Sequence, residues 1–295
     1  MEKENDTMIH FKHFEKTDYE AVCDFLIELN RDQKTHINWN WARFEWMYAH
    51  PECDQSALSS IGLWTAGKKV IGAAIYDMYF GEAFCGALPE YRALYPQILS
   101  YAYKELRDEN GIGIAICDES AEEINAARAL GFFKSEQTET VMSLSLNKEH
   151  TAQLPDGLMV VSLDPEQEPY DFQWLLWQGF DHGTNKAEFE QKDPIVTQKR
   201  AHLNPRLSLA AVNSRSDKAA YCCVWYHDNT DYAYIEPVCT VPSYRGQGVA
   251  KALLCEAFTR AKALGAERAY VISDTAFYKK LGFETDKHFT FYWKS

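Results

Sequence analysis

Pro242-Ser243-Tyr244-Arg245-Gly246-Gln247-Gly248-Val249-Ala250 is the stretch whose reading decides the fold. A strand-like run, Tyr232 to Val241, ends at its proline. Beyond it, Val249, Leu253, Ala257 and Ala261 recur every four residues, with Leu254, Phe258 and Leu264 beside them, which is helical spacing. Gly265 stands where a helix-terminating glycine belongs. A strand, a glycine turn and a helix start together make an anion site. The first N–H groups of a helix lack internal partners, and the helix dipole adds partial positive charge. Glycines let a ligand approach the backbone closely, and Arg245 adds a charge suited to phosphate. Taken alone, the stretch reads equally well as an ordinary turn in which the glycines serve only the chain reversal. Its spacing is neither the dinucleotide G-x-G-x-x-G nor the Walker G-x-x-x-x-G-K-[ST].

Composition narrows the class. The 295 residues are 46% hydrophobic and 25% charged, as in a globular protein with one large or two ordinary domains. No apolar run approaches the roughly 18 residues of a membrane helix, and the polar start at residues 1–6 is no signal peptide. Eight scattered cysteines, none in C-x-x-C, fit reduced thiols and a cytoplasmic protein. Nine histidines show no zinc-ligand spacing, so no metal is expected. A net charge of −13 argues against a nucleic-acid partner. It is compatible with a cationic acceptor such as an amine or polyamine, but solubility alone is the preferred reading of the charge.

An internal repeat gives the organisation. Pro89-Glu90-Tyr91-Arg92 echoes Pro242-Ser243-Tyr244-Arg245 at an offset of 153 residues (242 minus 89). Leu130-Gly131-Phe132 echoes Leu281-Gly282-Phe283 at 151 (281 minus 130). Between these anchors each copy holds a helix-like stretch and then a strand-like one. The expected division is a first domain over 1–148, a linker over 149–156 and a second domain over 157–295. Asn38 to Tyr48 is an aromatic helical stretch, read as core or domain contact with a ligand groove as the alternative.

The pattern R-x-x-G-x-A, carried by Arg245, Gly248 and Ala250, resembles the acyl-CoA pyrophosphate loop of the GNAT superfamily of N-acetyltransferases. Val238-Cys239-Thr240 resembles that family's splayed strand, and Phe277-Tyr278-Lys279-Lys280-Leu281-Gly282-Phe283 its closing helix. The resemblance implies an α/β (α+β) fold of two tandem domains, each a mixed, mostly antiparallel sheet flanked by helices. It further implies acetyl-CoA as cosubstrate, held by Val238, Cys239 and Thr240 and by Arg245, Gly246, Gln247, Gly248, Val249, Ala250 and Lys251.

Only the second copy carries this chemistry. Aligned at the proline, Gly248 falls on Tyr95 and Val249 on Pro96, so one copy has a bulky ring and a missing N–H where the other has a cradle. Glu236 falls on Ala83 and Tyr278 on Ala127. The first domain is therefore expected to keep the fold and not to bind acyl-CoA.

The resemblance implies direct acyl transfer to a primary amine of a small molecule. Tyr278 is the candidate general acid for the departing sulfur, a hydroxyl of pKa about 10 being able to protonate a thiolate; a packed aromatic is the alternative. Glu236 is the candidate base, directly or through water; an exposed edge carboxylate is the alternative. Cys239 invites a covalent acyl-enzyme reading, but no histidine pairs with it in sequence. His182 is a loop candidate for the acceptor side, with a solvated loop histidine as the preferred alternative. Against the enzyme stands an acetyl-CoA sensor or interaction module without turnover.

Overall fold

In the computed structural model the described residues are 8–50, 52–191 and 200–295, so the polar segment 1–6 lies outside them. The first half runs β1 (Ile9–His13), α1 (Tyr19–Leu29), α2 (Trp41–Tyr48), β2 (Gly62–Ala66), β3 (Lys69–Asp77), β4 (Tyr79–Ala87), α3 (Tyr95–Glu105), β5 (Ile112–Cys117), α4 (Ala121–Ala129) and β6 (Phe133–Ser145). The second half runs β7 (Leu158–Ser162), α5 (Pro169–Gly179), α6 (Lys186–Glu190), β8 (Ser208–Asn213), β9 (Lys218–Tyr226), β10 (Tyr232–Thr240), α7 (Val249–Leu264), β11 (Arg268–Ile272), α8 (Ala276–Leu281) and β12 (Glu284–Lys294). Each half thus strings its strands and helices in the same sequence, as the repeat predicts. The polar stretch between β6 and β7 carries no helix or strand.

The twelve strands form one mixed sheet in the order β1-β2-β3-β4-β5-β12-β6-β11-β10-β9-β8-β7. Every neighbouring pair is antiparallel except β4 with β5 and β10 with β11. The last strand of each half crosses to the other: β12 pairs with β5, and β6 pairs with β11. The two exchanged strands also pair with each other, from Glu284↔Ser143 to Trp293↔Phe133. Each half therefore completes its partner's sheet, and the join is continuous backbone hydrogen bonding.

Helices cover both faces. The apolar stripe of α7 buries Val249, Leu253, Leu254, Ala257, Phe258 and Ala261 against one face of the second half. A helix with alternate turns turned inward has no other way to remove that much apolar surface from water. On the opposite face α5 buries Phe172 and Leu175 in a core that continues into the first half through α2. The aromatic stretch of α2 is core and contact between the halves: Trp41 meets Trp225 edge-on at 6.1 Å. Beside it Glu45, fully buried, accepts from the backbone N–H of His202 at 2.7 Å and lies 2.6 Å from its Nδ1. All eight cysteines are buried and free, in keeping with the reading of reduced thiols.

Candidate active site

Strand β10 gives the site its shape. Its parallel pairing with β11 covers only Tyr232↔Arg268 to Tyr234↔Tyr270. Beyond Tyr234 the strand follows β9 instead, with a register shift between Ile235 and Val238. A wedge opens there between β10 and β11, and Glu236 sits at its apex. Pro237 follows across a cis peptide bond. Proline has no N–H, so this edge cannot continue the ladder. Trp225 fixes the bend from behind, its indole donating to the Glu236 carbonyl at 2.6 Å.

The wedge leads to the glycine loop. A 3-10 turn, Pro242–Tyr244, precedes Gly246 (φ +74°) and Gly248 (φ +84°), the N-cap of α7. A side chain at either position would be strained, and the space where its Cβ would stand is open. No side chain caps α7, and its first helical bond is Ala252 N–H to the Gly248 carbonyl. The earlier N–H groups of that turn, on Val249, Ala250 and Lys251, have no helical acceptor. This is a cradle open at its two glycines, beside donors that the helix leaves unused. Gln247 bridges back to the Ser243 carbonyl at 2.9 Å.

The Arg245 side chain is anchored on three sides. Its Nε donates to the Thr240 carbonyl at 3.0 Å, Nη2 to the Gly179 carbonyl at 2.9 Å, and Nη1 pairs with Asp181 at 2.9 Å. The guanidinium ties the loop to the end of α5. Asp181 precedes His182, so the same contact holds the His182 loop beside the cradle; His182 itself is exposed and packs on Trp177 at 4.9 Å. Cys239 is turned under α5, with its Sγ 3.9 Å from the Leu175 carbonyl. Burial pushes its thiol up to about 12, which keeps it protonated and opposes a nucleophilic role. Val238 packs toward the α7 side.

Glu236 is neither exposed nor neutralised by a close partner. Its Oε2 is buried without a hydrogen-bond partner among the described residues. Burial pushes the carboxyl up to about 7, more than the Arg43 guanidinium and the Tyr234 hydroxyl pull it down; Asp77 and Glu139 push the same way. Arg43 of α2 pairs with Asp77 at 2.7 Å and with Glu139 at 3.2 Å. Asn38 donates to the second oxygen of Glu139 at 3.1 Å. The first half thus surrounds the base candidate of the second with one cation and two carboxylates. None of Arg43, Asp77 and Glu139 was singled out from sequence. They come from α2, β3 and β6, and only a charge inside the aromatic stretch of α2 offered a signal.

Tyr278 lies half-buried on α8, with its ring against Phe277 at 5.0 Å and Phe283 at 5.4 Å. Burial holds its hydroxyl well above the ordinary tyrosine value, with smaller pushes from the Cys222 thiol and the Glu236 carboxylate. It is therefore a proton donor at neutral pH, within the electrostatic reach of Glu236. One cysteine–glutamate–histidine group, Cys23, Glu45 and His202, brings its ligand atoms within 4.8 Å of one another, but the last two already bond to each other.

Residues 169–283 match the acetyltransferase (GNAT) family. Three solved structures are similar over nearly the whole chain. A tandem GNAT protein from the clavulanic acid biosynthesis pathway is 14% identical, with a TM-score of 0.59, over 97% of this chain and 98% of that one. A GCN5-related N-acetyltransferase from Sphaerobacter thermophilus is 14% identical, TM-score 0.56, over 97% and 95%. The Saccharomyces cerevisiae N-myristoyltransferase, solved with myristoyl-CoA, is 12% identical, TM-score 0.52, over 97% and 78%. No curated protein matches the sequence. Fold and matched segment together define an acyltransferase enzyme of the N-acetyltransferase class. The second half carries an acetyltransferase (GNAT) family segment, and the chain as a whole has the fold of a tandem GNAT protein. No helix among the described residues is long and apolar enough to cross a membrane.

Proposed function

We propose that this protein transfers the acetyl group of acetyl-CoA to a primary amine of a small molecule by direct attack. The observation that carries the reading is Glu236: a buried carboxyl at the apex of the β10 wedge, with a pKa of about 7 and an oxygen lacking a protein partner. A general base works best when its pKa lies near the operating pH. The open glycine cradle fits a diphosphate, and the N–H groups of Val249, Ala250 and Lys251 with Gly246, Gln247 and Gly248 hold it. Bound acetyl-CoA supplies the activated acyl group. Glu236 takes a proton from the acceptor ammonium, directly or through one water. The edge of β10 that faces away from β9, at Val238 and Thr240, offers backbone N–H groups to the developing oxyanion. Tyr278 delivers its proton to the departing sulfur.

The acceptor is an amine because Glu236, Asp77 and Glu139 outnumber the single Arg43 around the apex, an environment that favours a cation. Cys239 takes no covalent part, its thiol being turned to α5. Two units, 1–148 and 157–295, joined through 149–156, complete the reading, and buried free thiols support a cytoplasmic setting. The test is thiol release from acetyl-CoA with a panel of small primary amines. Turnover with one or more amines, first order in enzyme, is the expected result. Tight acetyl-CoA binding without turnover against any amine or peptide overturns it in favour of a sensor.

A further inference from the structure

The first half contains a cavity of about 740 Å³ that acyl transfer does not use. It lies between the end of α1, the turn leading into α3 and the start of α4. Pro89, Tyr95 and Pro96 line it, and these are the residues that fall on Pro242, Gly248 and Val249 of the second half. It is thus the counterpart of the cofactor cradle, rebuilt. We propose that this cavity binds an organic cation, a primary amine or a linear di- to tetra-amine.

Three observations point to that ligand class. The first is charge. Glu28, Asp32, Glu119, Glu122 and Glu123 line the cavity, against Arg92 as the one full cation. Arg92 is spent on Glu122 at 3.1 Å, while Lys69 and Lys287, which pair with Glu28 and Glu119, stand outside the lining. Asp32 has no ion-pair partner among the described residues. A diphosphate is repelled by such walls, and Pro96 offers it no N–H in the first turn of α3. The second is Tyr95. It is 4% exposed, it lines the cavity, and its hydroxyl has no hydrogen-bond partner among the described residues. The hydroxyl reaches solvent at the cavity wall, where a bound donor can meet it. Glu123 lies close enough to press on that hydroxyl electrostatically and sits 3.2 Å from His36 Nε2. An ammonium donates to both the carboxylate and the phenol oxygen.

The third is shape. The volume falls in the range of roughly 300–1,000 Å³ typical of small-molecule sites. Leu29, Ala87, Ala93 and Ala126 give apolar wall between the charged groups, where a methylene chain packs. The site stands apart from the wedge at Glu236, so it does not depend on the acyltransfer reading.

Titration calorimetry of the full chain with putrescine and with spermine, in about 0.15 M salt, tests the proposal. One saturable site is expected. Its affinity falls about tenfold or more in Glu123→Gln and severalfold in Asp32→Asn, and is unchanged in Glu236→Gln. Asp32 is an exposed surface carboxylate, so that variant remains informative where Glu123→Gln disturbs folding. Absence of saturable binding by either amine overturns the proposal. So does binding that survives Glu123→Gln and Asp32→Asn but disappears in Glu236→Gln, which belongs to the acceptor end of the other half. Complete displacement by millimolar Mg²⁺ also overturns it, since the walls then hold any counter-ion.

Discussion

The same strand–turn–helix unit occurs twice in this chain with opposite consequences. In the second half β10 passes through a short 3-10 turn and two left-handed glycines before α7 begins, and no side chain caps the first N–H groups of that helix. In the first half β4 passes through a longer 3-10 turn, Pro89–Leu94, directly into α3, whose first two residues are Tyr95 and Pro96. Both turns support the same helix on the same sheet. The fold asks only that the chain reverse and the helix bury its stripe. Anion binding asks in addition for uncapped N–H groups and no Cβ in the way. A copy released from the second demand keeps the first, and its walls are free to change sign: acidic around Tyr95, glycine and backbone around Gly248.

The largest expected effect breaks this contrast at its centre. Gly248→Tyr places the first half's residue in the second half's loop, where φ is +84°. Acetyl-CoA affinity falls by about a hundredfold or more, with the fold intact by circular dichroism. Near-normal affinity by calorimetry refutes the assignment of the loop.

Next comes Glu236→Gln, which gives the second half the uncharged apex that Ala83 gives the first. Turnover falls by about 10²–10⁴. In the wild type kcat/KM rises with pH through about 7, as the base loses its proton, and the variant lacks that limb. Stability moves oppositely. A carboxyl whose folded pKa exceeds its unfolded value favours the folded state below the unfolded pKa and loses that advantage as pH rises from about 4.5 to about 7. The variant is therefore more stable than wild type at pH 8, by on the order of 3 kcal/mol, and not at pH 4. Equal melting temperatures at pH 8 contradict a buried, charged Glu236.

Tyr278→Phe sharpens the contrast with Ala127. We expect kcat to fall about tenfold to a hundredfold while acetyl-CoA affinity stays within about twofold. Full turnover removes Tyr278 from the chemistry.

His202→Ala asks how far the halves depend on each other, because it leaves Glu45 of α2 buried without its imidazole. The hydrogen bond to Glu45, then the carboxylates of Glu45 and Glu20, raise the His202 pKa against the opposing effect of burial. A raised histidine contributes stability in full below its unfolded pKa and loses it as pH rises through the folded value. The destabilisation, about 2 kcal/mol, should be greater at pH 6 than at pH 9. A loss independent of pH assigns the contact to packing alone.

The smallest expected effect is none. Tyr95→Gly with Pro96→Val restores glycine and a donor to the first loop, yet the acidic walls and Ala83 remain. No second acetyl-CoA site appears in calorimetry; two sites per chain show that the loop residues alone separate the copies.

Much of this was legible because it is local. The four-residue recurrence from Val249 to Ala261 and the two glycines at its ends are a helix with its caps wherever they stand, and α7 spans Val249–Leu264. The repeated Leu-Gly-Phe and Pro-x-Tyr-Arg anchors are likewise read along the chain. The strand exchange was not legible, since β6 and β12 look like final strands of their own halves and alternate equally well in either sheet. Nor were the acceptors of Arg245 legible, because nothing in its neighbourhood in sequence names Gly179 and Asp181.

By itself the sequence determined which loop is free to turn left-handed and which one lacks an N–H: the missing Cβ of glycine and the missing N–H of proline are properties of the residues, unaffected by what surrounds them. Tertiary structure alone decided what Glu236 is. Desolvation and Coulomb forces act through space, and the Arg43, Asp77 and Glu139 that set its proton affinity lie roughly 100 to 200 residues away in the chain and meet it only when α2, β3 and β6 pack beside β10.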